Sequence, residues 1–151
     1  MTAPRRVIFL DIDGVLNSAP FLGEGADLPW EAMIDPRAVA RLNALVRATG
    51  AAIVVSSSWR CHVPLARIAR ILGDHGFDGE IIGATPRRPS SRGAEIQAWL
   101  DEAADGPDAF VILDDVSDMG PLTPHLVLTS FDEGLLDAHV ADAAARLCRT
   151  R

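Results

Sequence analysis

Three short apolar runs of the sequence are each followed at once by residues that can do acid, base or metal chemistry. These residues are 11–14 (Asp-Ile-Asp-Gly), 56–58 (Ser-Ser-Ser) and 114–115 (Asp-Asp). If the runs are neighbouring parallel strands, at least three carboxylates and a hydroxyl meet at one edge of a sheet. Carboxylates held so close repel each other, and protonation of one or a bound cation relieves the repulsion. Oxygen ligands in an incomplete cage suit Mg²⁺, and the acidic candidates are Asp11, Asp13, Asp114 and Asp115.

The spacing of Asp11 and Asp13 allows the two carboxylates to divide one reaction between them. Side chains at positions i and i+2 of a strand point to the same side. One carboxylate can stay ionised and attack while the other carries a proton for the leaving oxygen. Gly14 lets the chain turn away sharply. Aspartate makes up 15 of the 21 acidic residues, so a lone pair would usually mark a cap or turn. The placement of both pairs after apolar runs favours the functional interpretation.

Strand and helix patterns alternate along the whole chain, which predicts the elements that hold these residues. The predicted strands are residues 6–10, 52–56, 80–84, 109–113 and 126–129. Amphipathic helices are predicted from Asp35 to Gly50, from Pro64 to Leu72, from about Ser91 to Ala103 and from Gly134 to Cys148. This alternation predicts one α/β domain over residues 1–151, a three-layer Rossmann-like, mostly parallel sheet flanked by helices. In such sheets function gathers at the carboxyl ends of the strands.

Composition excludes several classes of protein. With 48% hydrophobic residues and a mean hydropathy of +0.16, the chain is too apolar for disorder, while its apolar runs are too short to cross a bilayer. A net charge of −7 argues against non-specific duplex binding. The only two cysteines, Cys61 and Cys148, are expected to be free thiols, and we expect a cytoplasmic protein. All 14 basic residues are arginine, so any cationic side chain at a site must be a guanidinium.

The ordered set of motifs resembles the haloacid dehalogenase-like (HAD) phosphohydrolases. Their first motif, an apolar strand ending in Asp-x-Asp-Gly, is matched by residues 9–17, and their second, a Ser or Thr, by Ser56 or Ser57. The acidic pair of the fourth motif is matched by residues 114–115, with Asp118 as a further acid. The resemblance extends over nearly the whole chain.

The third motif of that family calls for a base, usually lysine, and this chain contains none. Arg92, at the start of a predicted helix, is the natural substitute, and Arg87 and Arg88 compete for the role. More narrowly, residues 56–60, 92–96 and 129–135 resemble HAD domains fused to or associated with RNA-repair enzymes.

The resemblance implies a phosphatase that works in two steps. Asp11 would attack phosphorus and become an aspartyl-phosphate, and Asp13 would protonate the leaving oxygen and then activate water. Mg²⁺ would be held by Asp11, the Asp13 backbone carbonyl and Asp115, while Asp114 would orient Arg92 or a water on the metal. Ser56 or Ser57 would hydrogen-bond a phosphate oxygen, and Arg92 would offset its charge.

The substrate expected from the sequence is bulky. Cap insertions set substrate choice in HAD enzymes, and residues 17–34 are enough for a short flap but not for a cap domain. An open site favours a phosphorylated polynucleotide end, a nucleotide or a phosphoprotein over an enclosed metabolite. The candidate substrate-binding residues are Gly14, Asn17, Trp59 and Arg60. Trp59 could stack on a base while Arg60 grips a phosphate, or Trp59 could be packing and Arg60 could pair with an acidic neighbour.

Two rival functions use the same types of residue. A receiver-like signalling domain also gathers acids, a hydroxyl and a cation at strand ends, but it needs a lysine late in the chain. A catalytically inactive HAD domain could serve as a binding partner. The presence of Asp11, Asp13 and Asp115 argues against that second alternative.

Overall fold

A computed structural model describes residues 5–24, 28–88 and 91–149 of the chain. Within these residues, five strands form one sheet in the order β3-β2-β1-β4-β5, and every neighbouring pair is parallel. The strands are β1 (Arg6–Leu10), β2 (Ala52–Val55), β3 (Ile81–Ala84), β4 (Ala109–Asp114) and β5 (Leu126–Leu128). The five predicted strands are thus all present, with ends that differ by one residue at most.

Helices cover both faces of the sheet, as the predicted fold class requires. The described helices are α1 (Ala19–Glu24), α2 (Pro36–Thr49), α3 (Leu65–Asp74), α4 (Arg92–Glu102) and α5 (Asp137–Leu147). Residues of α2, α3 and α5, such as Leu42, Ile68 and Ala143, join one core cluster with Leu10. On the other face, Phe9 packs in a second cluster with residues of α4 and of the 3₁₀ turn Gly120–His125. The three-layer, Rossmann-like α/β prediction is confirmed.

Local signals in the sequence set the ends of the helices that matter for the site. Asp35 caps α2 by accepting a hydrogen bond from the Arg37 amide, and Gly50 ends it with a φ of +70°. Ser91 caps α4 by accepting from the Ala94 amide at 3.1 Å. The last helix begins at Asp137 rather than at Gly134, because residues 130–134 form a tight turn instead.

The short elements of the flap were not predicted. Helix α1 and the 3₁₀ turn Trp30–Ala32 both lie within residues 17–34. In the described part of the chain, no helix has the length and apolarity needed to cross a membrane. Cys61 and Cys148 are free thiols, as expected.

Candidate active site

The register of the sheet places the residues that follow β1 between those that follow β2 and the end of β4. Leu10 lies opposite both Val55 and Leu113. The pairing continues one residue further, because the Asp11 amide donates to the Leu113 carbonyl at 3.0 Å and the Ser56 amide donates to the Leu10 carbonyl at 2.8 Å. Parallel pairing of three strands therefore brings together residues more than a hundred positions apart.

Three carboxylates meet at this edge. Asp11, Asp114 and Asp115 each offer an oxygen, and these atoms all lie within 4.8 Å of one another. Asp11 and Asp114 are buried and Asp115 is partly buried. The Asp13 carboxylate is outside this group, and so is Asp118, which is exposed.

The electrostatics of this group favour a bound cation. Burial, and then the negative charge of Asp114, raise the pKa of Asp11 to about 8, against the opposing effect of Arg92. Burial also raises the pKa of Asp114. A divalent cation would stabilise the ionised carboxylates against both their burial and their mutual repulsion, and carboxylate oxygens are ligands that Mg²⁺ prefers. The donor set therefore fits Mg²⁺.

Arg92 is the arginine that the structure brings to these carboxylates. Its Nη1 lies 2.7 Å from Asp114 Oδ2 and 3.3 Å from Asp11 Oδ1, and its side chain is 17% exposed. Burial opposes its charge, but the two carboxylates prevail and raise the pKa of Arg92 above its usual range. Arg87 and Arg88 are exposed, and Arg88 pairs with Glu102 instead.

Glycines allow two close approaches around the cluster. A Cβ on Gly93, in the first turn of α4, would lie 2.5 Å from the Met119 carbonyl oxygen. Gly14 is buried with a φ of +84°, and a Cβ there would overlap the Asp115 carboxyl group and lie 2.9 Å from Asp115 Cβ. The predicted turn at Gly14 therefore also makes room for an acid of the cluster.

Asp13 is exposed beside the cluster, and neighbouring side chains fix its carboxylate. The amide nitrogen of Asn17 donates to Asp13 Oδ1 at 2.9 Å, and the Trp59 indole donates to both carboxylate oxygens at 3.3 and 3.2 Å. Asn17 itself is buried, and its side chain also accepts from the Gly14 amide and donates to the Met33 carbonyl. Asn17 thus ties the turn after β1 to the flap, and its predicted contact with substrate stays a prediction.

The two candidate serines differ in their bonding. Both are fully buried. The Ser57 hydroxyl accepts from the Trp59 amide at 3.2 Å and so caps the 3₁₀ turn Ser58–Cys61. The Ser56 hydroxyl has no hydrogen-bond partner among the described residues. Since buried polar groups are normally paired, the Ser56 hydroxyl is the one with bonding capacity left for a ligand.

The guanidinium of Arg60 is engaged in contacts within the protein. Its side chain is 7% exposed, and it pairs with Glu95 while donating to the carbonyls of Thr85 and Ser57. The alternative interpretation, pairing with an acidic neighbour, is what the structure shows for Arg60. Trp59 is partly buried against the core, yet its ring also lines an open pocket beside Asp13.

Two further hydroxyls at the same edge were not predicted from the sequence. Thr129 follows β5 directly, and its hydroxyl donates to the Gly14 carbonyl at 2.7 Å. Thr85 follows β3, and its buried hydroxyl has no partner among the described residues. The signal that could have found both is a polar residue placed directly after an apolar run, as at Asp11 and Ser56.

The whole of this edge lies within the part of the chain that one family model matches. Residues 7–140 match the model described as the HAD domain in Swiss Army Knife RNA repair proteins. No curated protein and no solved structure matches the chain. The match covers most of the chain and includes every strand except the first residue of β1. The chain therefore belongs to the family of HAD domains found in Swiss Army Knife RNA repair proteins.

Proposed function

We propose that this HAD domain is a Mg²⁺-dependent phosphoric monoester hydrolase that acts through an aspartyl-phosphate. The family itself suggests a phosphohydrolase-type function. The observation that carries the proposal is the arrangement at the sheet edge. Three carboxylate oxygens lie within 4.8 Å of one another, and the Asp13 carboxylate lies exposed beside them, two residues after Asp11.

The proposed metal ligands are Asp11, Asp115 and the backbone carbonyl of Asp13. Asp114 supports this site in a different way, because its two oxygens accept from Arg92 and from the Val116 amide. Bound Mg²⁺ would supply positive charge that offsets the repulsion between a carboxylate nucleophile and a phosphate.

The protein's own groups account for both steps of the reaction. An Asp11 oxygen attacks phosphorus, the bond from phosphorus to the leaving oxygen breaks, and Asp13 gives that oxygen a proton. Water then attacks the aspartyl-phosphate while Asp13 takes a proton from it. The bond between phosphorus and the Asp11 oxygen breaks, which releases phosphate and restores the carboxylate. Ser56 and Arg92 supply donors for the phosphoryl oxygens in both steps.

A phosphorylated polynucleotide end is the substrate we propose. The described part of the flap contains only α1 and one 3₁₀ turn, so a large leaving group has access to the site. The family of RNA repair proteins favours a nucleic-acid end over a phosphoprotein or a sugar phosphate. With a net charge of −7, binding would be directed to the end rather than along a duplex.

Phosphate release from p-nitrophenyl phosphate tests the reaction. We expect steady turnover with Mg²⁺, none in EDTA, and a loss of about 1,000-fold or more in Asp11→Asn, since the nucleophile is gone. A single phosphorylation without turnover would instead indicate a receiver-like domain. Phosphorylated RNA and DNA ends, phosphopeptides and sugar phosphates then test the substrate class, and a preference for sugar phosphates would contradict the proposal.

A further inference from the structure

An open pocket of about 450 Å³ lies beside Asp13. It is lined by Asp13, Trp30, Met33, Trp59, His62 and Val63. We propose that this pocket binds the nucleobase of the nucleotide that carries the phosphate, and that Trp30 sets this specificity. The inference rests on the proposed function, because it takes Asp13 as the group that protonates the leaving oxygen.

The proposed role of Asp13 places the leaving group of the substrate next to this pocket. A leaving oxygen that receives its proton from Asp13 lies at that carboxylate, so the rest of the leaving group extends from there. The pocket begins at Asp13, and one of its walls is the Trp59 ring, whose indole nitrogen donates to the carboxylate at 3.2 Å. In a nucleotide the ribose lies next to the scissile bond, so the base attached to that ribose extends into the pocket.

Neighbouring side chains hold the Trp30 ring in place at the edge of the pocket. Trp30 is 37% exposed, but two contacts hold its ring. The rings of Trp30 and Trp59 meet at 75° with their centroids 5.5 Å apart, and the Arg67 guanidinium lies 5.2 Å from the Trp30 ring centroid. Arg67 in turn pairs with Glu31 at 3.1 Å. A rigid aromatic surface loses little entropy when a flat ring packs against it.

The lining suits a nucleobase better than an aliphatic or phenyl group. Trp30, Met33, Trp59 and Val63 supply apolar surface, while Asp13 and His62 supply polar atoms at the same pocket. A nucleobase has apolar faces and a polar edge, so it can use both kinds of contact. The volume lies within the range of small-molecule sites and is ample for a purine base.

Paired substrates that differ only in the base test this inference. We expect the wild-type protein to hydrolyse adenosine 5′-monophosphate or its 3′ isomer with a kcat/KM at least about tenfold above that for ribose 5-phosphate. Trp30→Ala should reduce that ratio at least about fivefold, mainly through KM, because stacking is lost. Trp30→Phe should restore most of it. Ile82→Ala removes another exposed apolar side chain outside the pocket, and it should leave the ratio unchanged.

A binding measurement keeps the inference testable apart from turnover. In the Asp11→Asn background, adenosine 5′-monophosphate should quench tryptophan fluorescence, ribose 5-phosphate should not, and Trp30→Ala should weaken the quenching. If adenosine monophosphate and ribose 5-phosphate are hydrolysed with equal kcat/KM, and Trp30→Ala does not change their ratio, the inference of a base pocket is overturned. The proposed phosphatase activity is not affected by that outcome. No hydrolysis of any phosphomonoester would overturn the phosphatase, and the fluorescence result would then decide the pocket alone. A preference for phosphotyrosine over both adenosine monophosphates would assign the pocket to a protein side chain and overturn the inference.

Discussion

The candidate site has a half built on the sheet and a half built on loops. Asp11, Asp114 and Arg92 lie at strand ends or at the start of α4, and none of their side chains is more than 17% exposed. Asp13, Trp59 and Trp30 lie in the turn after β1, the 3₁₀ turn after β2 and the flap, and each is at least partly exposed. Strand register fixes Asp11 and Asp114, the start of α4 brings Arg92 to them, and contacts between side chains fix the second group.

This difference separates chemistry from recognition, except at Asp13, whose proposed role is chemical although it lies in a turn. A group held by the sheet keeps its geometry whichever substrate is bound, while a group on a loop can be changed without disturbing the sheet. We therefore expect substitutions in the sheet-built half, and of Asp13, to reduce turnover of all substrates alike. Substitutions of Trp30 and Trp59 should change which substrate is preferred.

Within the sheet-built half, replacement of Arg92 should cause a large loss of activity. Arg92→Ala should lower kcat/KM about 100- to 1,000-fold for every phosphomonoester tested, because a donor to the phosphoryl group is lost. It also leaves the buried Asp114 without its partner, so circular dichroism must show that the variant folds. Arg92→Lys keeps the charge and should recover part of the activity.

Arg88→Ala is the matched control for this prediction. Arg88 is exposed and pairs with Glu102, away from the carboxylates. Full turnover in Arg92→Ala, or a comparable loss in Arg88→Ala or Arg87→Ala, would move the role to the residues before α4.

The sheet-built half is the part that could be predicted from the sequence. An apolar run followed by an acid places that acid at a strand end, and parallel strands bring their carboxyl ends to one edge. Asp11 and Asp114 were found in this way. Arg92 needed the family resemblance as well, since the sequence offered Arg87 and Arg88 as competitors until α4 and its Ser91 cap were seen in place.

The side-chain contacts of the loop-built half could not be predicted, for a physical reason. The partner of Arg60 is Glu95, which reaches it from α4, 35 residues further along the chain. Trp30 meets Trp59 across the site from a separate 3₁₀ turn. Such contacts depend on how helices and loops pack over the sheet, and no local periodicity encodes them. The burial and pairing of an arginine such as Arg60 are therefore known only once that packing is known.

Gly14→Ala should disturb the sheet-built half through both backbone and space. A left-handed φ of +84° disfavours alanine, and its methyl group would displace the Asp115 carboxyl group. We expect a loss of about 2–4 kcal/mol in the free energy of unfolding, with weaker Mg²⁺ binding by titration calorimetry.

Gly50→Ala separates the two causes. Gly50 has a φ of +70°, but no atom of the described residues outside its own chain neighbours lies within 4 Å of a Cβ there. It should therefore show only the backbone effect of about 1–2 kcal/mol, with Mg²⁺ binding unchanged. Equal losses at both glycines, with equal Mg²⁺ affinity, would contradict the role assigned to the space at Gly14.

The raised pKa of Asp11 predicts how pH affects the metal-free protein. Asp11 ionises near 3.8 when unfolded and near 8 when folded. The folded state therefore holds this proton more tightly, and its contribution to stability is fully present below about pH 4 and is lost as the pH rises toward 8. In EDTA, the free energy of unfolding of the wild type should fall relative to Asp11→Asn by about 2 kcal/mol or more across this window.

Urea denaturation of both proteins at the two ends of that window measures the difference. Asp114 interacts with Asp11, so it contributes to the difference together with Asp11, whereas titrating groups remote from this cluster cancel in the comparison. Mg²⁺ should restore the wild type at the high-pH end and have little effect on Asp11→Asn. Parallel pH profiles for the two proteins would show that the pKa of Asp11 is not raised in the folded state.

The smallest expected effects distinguish the two serines at the boundary between the halves. The Ser56 hydroxyl has no partner in the described part of the chain, so Ser56→Ala should leave the free energy of unfolding nearly unchanged and lower kcat/KM about tenfold. The Ser57 hydroxyl caps the turn that carries Trp59, so Ser57→Ala should instead lower stability by about 1 kcal/mol with the smaller effect on turnover. Stability from urea melts and rates from phosphate release give the two readouts. A larger loss of turnover in Ser57→Ala than in Ser56→Ala would assign the phosphate contact to Ser57.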